Sequence, residues 1–129
     1  MLGLLTYFGD YYHADKVAYQ VMASDYVASH PGKVSSLVFM AAYPNTSLAQ
    51  SNISVLSLYG SEDHVLNRAA FEQAKGEMPT DVTYHEIVGG NHGNFGNYGE
   101  QQGDGTATIS ASEQQAITAE RIKELWGEK

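Results

Sequence analysis

Three short apolar runs, Val34 to Ala42, Ser54 to Tyr59 and Val82 to Val88, share the chain with stretches of helical period, and that combination constrains the fold more than any other feature. The first run, rich in Val, Leu, Phe and Met, is almost continuously apolar, as expected of a strand buried on both faces in a parallel sheet. The second is closed by Gly60, and the third is β-branched and alternating. Ahead of them, Asp15 to His30 repeats Val17, Val21, Met22 and Tyr26 at helical spacing, with Asp15 as N-cap and Pro31-Gly32 as the stop. Asn45 to Asn52 is polar and reads as a loop. Asn67 to Glu77 reads as a helix with Phe71 and Ala74 inward and Pro79 beyond its end. A last helix runs from about Ser110, which forms a capping box with Glu113, to Trp126, with Ala116, Ala119, Ile122, Leu125 and Trp126 on one face. The expected architecture is α/β: about three parallel strands flanked by helices.

A chain of 129 residues is one domain at most, and 43% hydrophobic with 17% charged residues is a globular composition. Its seven basic residues are scattered among fifteen acidic ones, for a formal charge of −8. That leaves no positive footprint for a phosphate backbone or an anionic bilayer, so neither nucleic acid nor membrane is an expected partner. Zero cysteines exclude disulfides and thiolate zinc sites. The apolar opening Met1 to Phe8 lacks the basic start and small-residue cleavage site of a signal peptide and is too short to span a bilayer. A cytoplasmic location is therefore expected.

Gly60-Ser61-Glu62-Asp63 and Gly89-Gly90-Asn91-His92 each follow an apolar run, placing an acid and a histidine 29 residues apart in sequence at consecutive strand ends. In open α/β sheets, ligands bind beyond the carboxyl ends of the strands, where such loops converge. A neutral imidazole accepts a hydroxyl proton, and a carboxylate on its other nitrogen fixes the tautomer and stabilises the imidazolium that forms. Singly, an Asp after a strand or a His in a glycine-rich loop is an ordinary turn former; together, at matching strand ends, Asp63 and His92 point to an acid–base pair. Gly89 to Thr108 holds seven glycines and three asparagines without periodicity, a loop length uncommon in compact domains unless functional or disordered. His64, His92, Asp63 and Asp104 lack a ligand spacing such as His-Glu-x-x-His, so no metal is expected. Tyr59, Tyr84, Phe95 and Tyr98 read as core aromatics.

Met22-Ala23-Ser24-Asp25-Tyr26, His30-Pro31-Gly32-Lys33-Val34 and Leu37 to Pro44 resemble the segment after the nucleophile in the α/β-hydrolase superfamily. Leu58 to Asp63 resembles its acid turn, and Gly89-Gly90-Asn91-His92-Gly93-Asn94-Phe95-Gly96, continued by Gly103 to Ile109, its histidine loop, most like a bacterial branch of small hydrolases of unassigned substrate. The resemblance implies a partial α/β-hydrolase fold, with residues 21–129 as its C-terminal part and residues 1–20 as an atypical segment. It implies Asp63 as triad acid and His92 as triad base of a serine hydrolase acting on a small-molecule ester, lactone or related acyl substrate, without a cofactor.

The chain departs from that pattern at the nucleophile. The family's Gly-x-Ser-x-Gly elbow precedes the helix containing Met22, where this sequence reads Asp15-Lys16-Val17-Ala18-Tyr19-Gln20. The oxyanion-hole donor that follows the nucleophile goes with it. Ser24, within the first helix, and Ser61, in the acid's own turn, are poor substitutes, so the nucleophile stays unassigned. Two expectations stand side by side: a hydrolase impaired as an isolated chain, or a non-catalytic truncated product or small binding or assembly module. A half-sheet of this kind exposes a strand edge through which self-association is expected.

Overall fold

The structure, a computed structural model, describes residues 3–8, 24–97 and 99–127. Four parallel strands, β1 (Gly3–Phe8), β2 (Val34–Met40), β3 (Ser54–Gly60) and β4 (Val82–Ile87), form one sheet in the order β1-β2-β3-β4. The three apolar runs are β2, β3 and β4. The opening segment adds a fourth strand: Gly3 pairs with Val34, and Leu4 to Phe8 pair with Ser36 to Met40. The edge of β2 that a three-strand sheet would leave open is therefore covered. Helical residues 24–29 (α1) precede β2; Asp15 to Ala23, the rest of the helix read from the sequence, lie outside the described residues.

Burial follows from the period of a strand. Leu37 and Phe39 of β2 point to one face with Val55 of β3, where Val27 of α1, Leu48 and Met78 complete a core. Val38, Leu56 and Leu58 point to the other, where they meet Ile87 and Phe95. Two apolar faces explain why β2 is continuously hydrophobic. On the second face lie Ile117 and Ile122 of α3 (Ala111–Ile122) and Leu125 of the π-helical turn Lys123–Gly127 that follows it. Ser110 caps α3 by accepting from the N–H of Glu113 at 3.1 Å.

Between β3 and β4, Asn67 caps α2 (Arg68–Gln73) by accepting from the N–H of Ala70, and a 3₁₀ turn, Ala74–Glu77, completes the crossover. Phe71 and Ala74 are buried as expected. Phe71 lies between Tyr59 and Tyr84, with ring centroids 5.0 and 6.2 Å away, while Phe95 joins the opposite core; Tyr98 is outside the described residues. No described helix is long and apolar enough to cross a membrane.

The inward face of α3 and the turn after it agrees with expectation at Ile122 and Leu125 and differs before them. Ala116 and Ala119 are exposed, and the buried residues are Gln114 and Thr118; the side chain of Trp126 lies outside what is described. The helix rests partly on the backbone of a glycine-rich loop, and a loop backbone demands hydrogen bonds rather than methyl groups.

Candidate active site

Because β3 and β4 are parallel and in register, with Gly60 opposite Ile87, their carboxyl ends stand on one rim. The chain leaves β3 through Gly60 and turns at once, the N–H of Asp63 pointing back to the carbonyl of Gly60 at 3.3 Å. Asp63 Oδ1 accepts from the N–H groups of Val65 and Leu66, each at 2.8 Å. Its Oδ2 faces His92 Nδ1 at 2.8 Å, and both side chains are fully buried. The two residues singled out by the sequence are thus brought into direct contact.

Burial is the largest influence on Asp63 and disfavours its ionised form. The hydrogen bond and charge of His92, with the N–H groups of Leu66 and Val65, outweigh it and hold the carboxyl below its ordinary value of 3.8. An ionised carboxylate only accepts, so Nδ1 of His92 carries the proton on this bond. In the neutral ring the lone pair then sits on Nε2.

Backbone contacts weld the acid turn to the base turn. The N–H of Ser61 donates to the carbonyl of Ile87 at 3.0 Å, and that of Glu62 to the carbonyl of Gly90 at 2.8 Å. Ser61 Oγ accepts from the N–H of Gly89 at 2.8 Å and donates to Glu62, so this hydroxyl is committed to the junction. A Cβ on Gly60 would lie 2.3 Å from the carbonyl oxygen of Gly90, and one on Gly105 only 2.0 Å from that of Glu62. Neither approach leaves room for a side chain. From the start of α2, Arg68 Nη2 donates to the carbonyls of Gly60 and Asp63, at 2.8 and 3.2 Å.

The base turn is held from three further directions. Gln114 of α3 bonds both backbone groups of Asn91, accepting from its N–H at 3.0 Å and donating to its carbonyl at 2.8 Å. Asn91 donates through Nδ2 to the carbonyl of Gly105 at 2.9 Å, while its Oδ1 accepts from the N–H of Asn94 at 2.9 Å, starting the 3₁₀ turn Gly93–Phe95. Asp104 accepts from the N–H groups of His92 and Gly93. Sequence reasoning passed over Arg68 and Gln114 and weighed Asp104 only as a metal ligand; the polar pair Gln114 and Thr118, at helical spacing, was the available sign of a polar inward face.

Other sequence candidates have ordinary places. Ser24 is buried and accepts from the N–H of Asn45 at 3.3 Å. Positions 15–20, where the resemblance puts the nucleophile turn, lie outside the described residues. Among the described residues no group of three or more His, Asp or Glu side chains is arranged to hold a metal ion.

Comparison with known proteins agrees with this architecture. Among solved structures the chain is similar to a predicted CIB-like hydrolase from Thermoplasma acidophilum, with a TM-score of 0.52 and 15% identity, over 80% of this chain and 45% of that one. That likeness is one of fold, and the chain spans less than half the length of that protein. No protein of curated function matches the sequence. The model of the alpha/beta hydrolase family matches residues 9–116, most of the sequence. The chain therefore belongs to the alpha/beta hydrolase family.

Proposed function

We propose that this chain carries the acid and base of a Ser-His-Asp hydrolase acting on an ester, lactone or related acyl substrate in the cytoplasm. The observation that carries the proposal is the 2.8 Å contact between the buried Asp63 carboxylate and His92 Nδ1. In this mechanism Nε2 of His92 takes the proton of a serine hydroxyl as its oxygen attacks the acyl carbon. Asp63 steadies the imidazolium, which returns the proton to the leaving oxygen as the tetrahedral intermediate collapses to an acyl-enzyme. Water, deprotonated by the same imidazole, then releases the acid. In this reading the serine is supplied by the upstream half of the fold, since no undescribed position of this sequence is a serine.

A second reading, that the chain is non-catalytic, is favoured by one observation: Asp15 to Gln20 contains no serine, cysteine or glycine where the elbow belongs. Fluorophosphonate labelling of an intact parent, in which this chain is joined to the upstream half of the fold, separates the two. Stoichiometric labelling, with ester turnover that falls about 10²- to 10⁴-fold in His92→Ala, is expected of the hydrolase. A folded protein that takes up no probe would reject it in favour of the non-catalytic reading.

A further inference from the structure

Asp104 occupies an unusual position in the loop that follows His92. Its Oδ1 accepts from the N–H of His92 at 3.2 Å and of Gly105 at 2.8 Å, and its Oδ2 from the N–H of Gly93 at 2.8 Å. A longer contact, 3.4 Å, joins Oδ1 to the N–H of His64, the residue after the acid. One half-buried carboxylate thus gathers backbone donors from the base turn, from its own loop and, more weakly, from the acid turn. Among the described residues no basic side chain forms an ion pair with it.

Position follows from this geometry. The Asp63–His92 bond depends on where the backbone carries the imidazole, and that backbone runs through residues 92 and 93, whose N–H groups both end on Asp104. The loop bearing Asp104 is itself seated: its N–H donates to the carbonyl of Gln101 at 3.1 Å, and the next residue, Gly105, abuts the carbonyl of Glu62. Asp63 therefore fixes the imidazole at Nδ1, and Asp104 fixes the backbone that carries it. We propose that Asp104 is a positioning residue for His92, setting the base against its acid through the peptide backbone. Its role in turnover rests on the hydrolase reading above, whereas its effect on the Asp63–His92 bond does not.

The Nδ1 proton of His92 reports directly on that bond. In the unmodified 129-residue chain, proton NMR is expected to show it well downfield and slow to exchange with water. Asp104→Asn keeps the shape but turns an N–H₂ donor toward backbone donors, and Asp104→Ser keeps one short acceptor. Both are expected to move the resonance upfield and speed its exchange by about tenfold or more, with protection of the β2 and β3 amides retained. A resonance unchanged in shift and exchange in either folded variant would overturn the proposal. Its absence from the unmodified chain would do so too, as would unfolding of both variants, which would make Asp104 a residue of the fold at large. Absence of fluorophosphonate labelling bears on the hydrolase reading alone.

Discussion

Asp63 shows how a carboxylate stays charged out of water. Two backbone N–H groups and an imidazole overcome the cost of burial, so its affinity for protons is lower in the fold than in the unfolded chain. A group depressed in this way stabilises the fold fully above its unfolded value and loses that contribution as the pH falls through the lower folded value. Urea unfolding should therefore find the largest stability difference between the native chain and Asp63→Asn above about pH 5, narrowing as the pH drops below the ordinary carboxylate value of 3.8. An equal difference at neutral and strongly acidic pH would contradict this account. Asp63 and His92 were visible in the sequence because each follows a strand within a few residues and a glycine opens each exit. Asp104 and Gln114 were not, because their partners are peptide groups 12 and 23 residues back along the chain, and no local spacing encodes the path of a returning loop.

Among the elements, strands were read more faithfully than the last helix. A parallel strand buried on two faces has to be apolar nearly throughout, and β2 and β3 announce themselves by that run. Helix α3 instead faces the sheet with Ile117 and Ile122 and the base turn with Gln114, so a single apolar stripe places Ile122 and Leu125 correctly but turns Ala116 and Ala119 inward in error. Replacing Gln114 with Leu leaves an N–H and a carbonyl of Asn91 without partners, and should cost about 2 kcal/mol or more. Ala116→Leu, on the exposed side, should stay within about 0.5 kcal/mol. Denaturant unfolding of the two variants decides between these faces: an Ala116→Leu penalty larger than that of Gln114→Leu would restore the orientation read from the hydrophobic pattern. The strand Gly3–Phe8 escaped notice because a lone apolar run, with no clear helical turn after it, carries no sign of what it pairs with.

At the scale of the molecule, the four strands among the described residues leave two outer edges, and these differ in kind. Strand β4 carries His85 and Glu86 and follows Pro79 and Asp81, features that discourage pairing with another chain. The sequence of β1, Gly-Leu-Leu-Thr-Tyr-Phe, has neither charge nor proline, and among the described residues nothing pairs with its outer side. Concentration-dependent self-association through β1 is the expected outcome in analytical ultracentrifugation, reduced by Thr6→Lys. A monodisperse monomer across the concentration range would show this edge to be covered in solution.

The near-contact of Gly60 with Gly90 and of Gly105 with Glu62 bears on how such a sequence can drift. At each place a carbonyl oxygen already occupies the point from which any side chain would grow. Loops are ordinarily the segments most tolerant of replacement, but these two turns are locked at the level of the codon. A randomised library at either position would return glycine under selection for the fold, whether or not catalysis was selected.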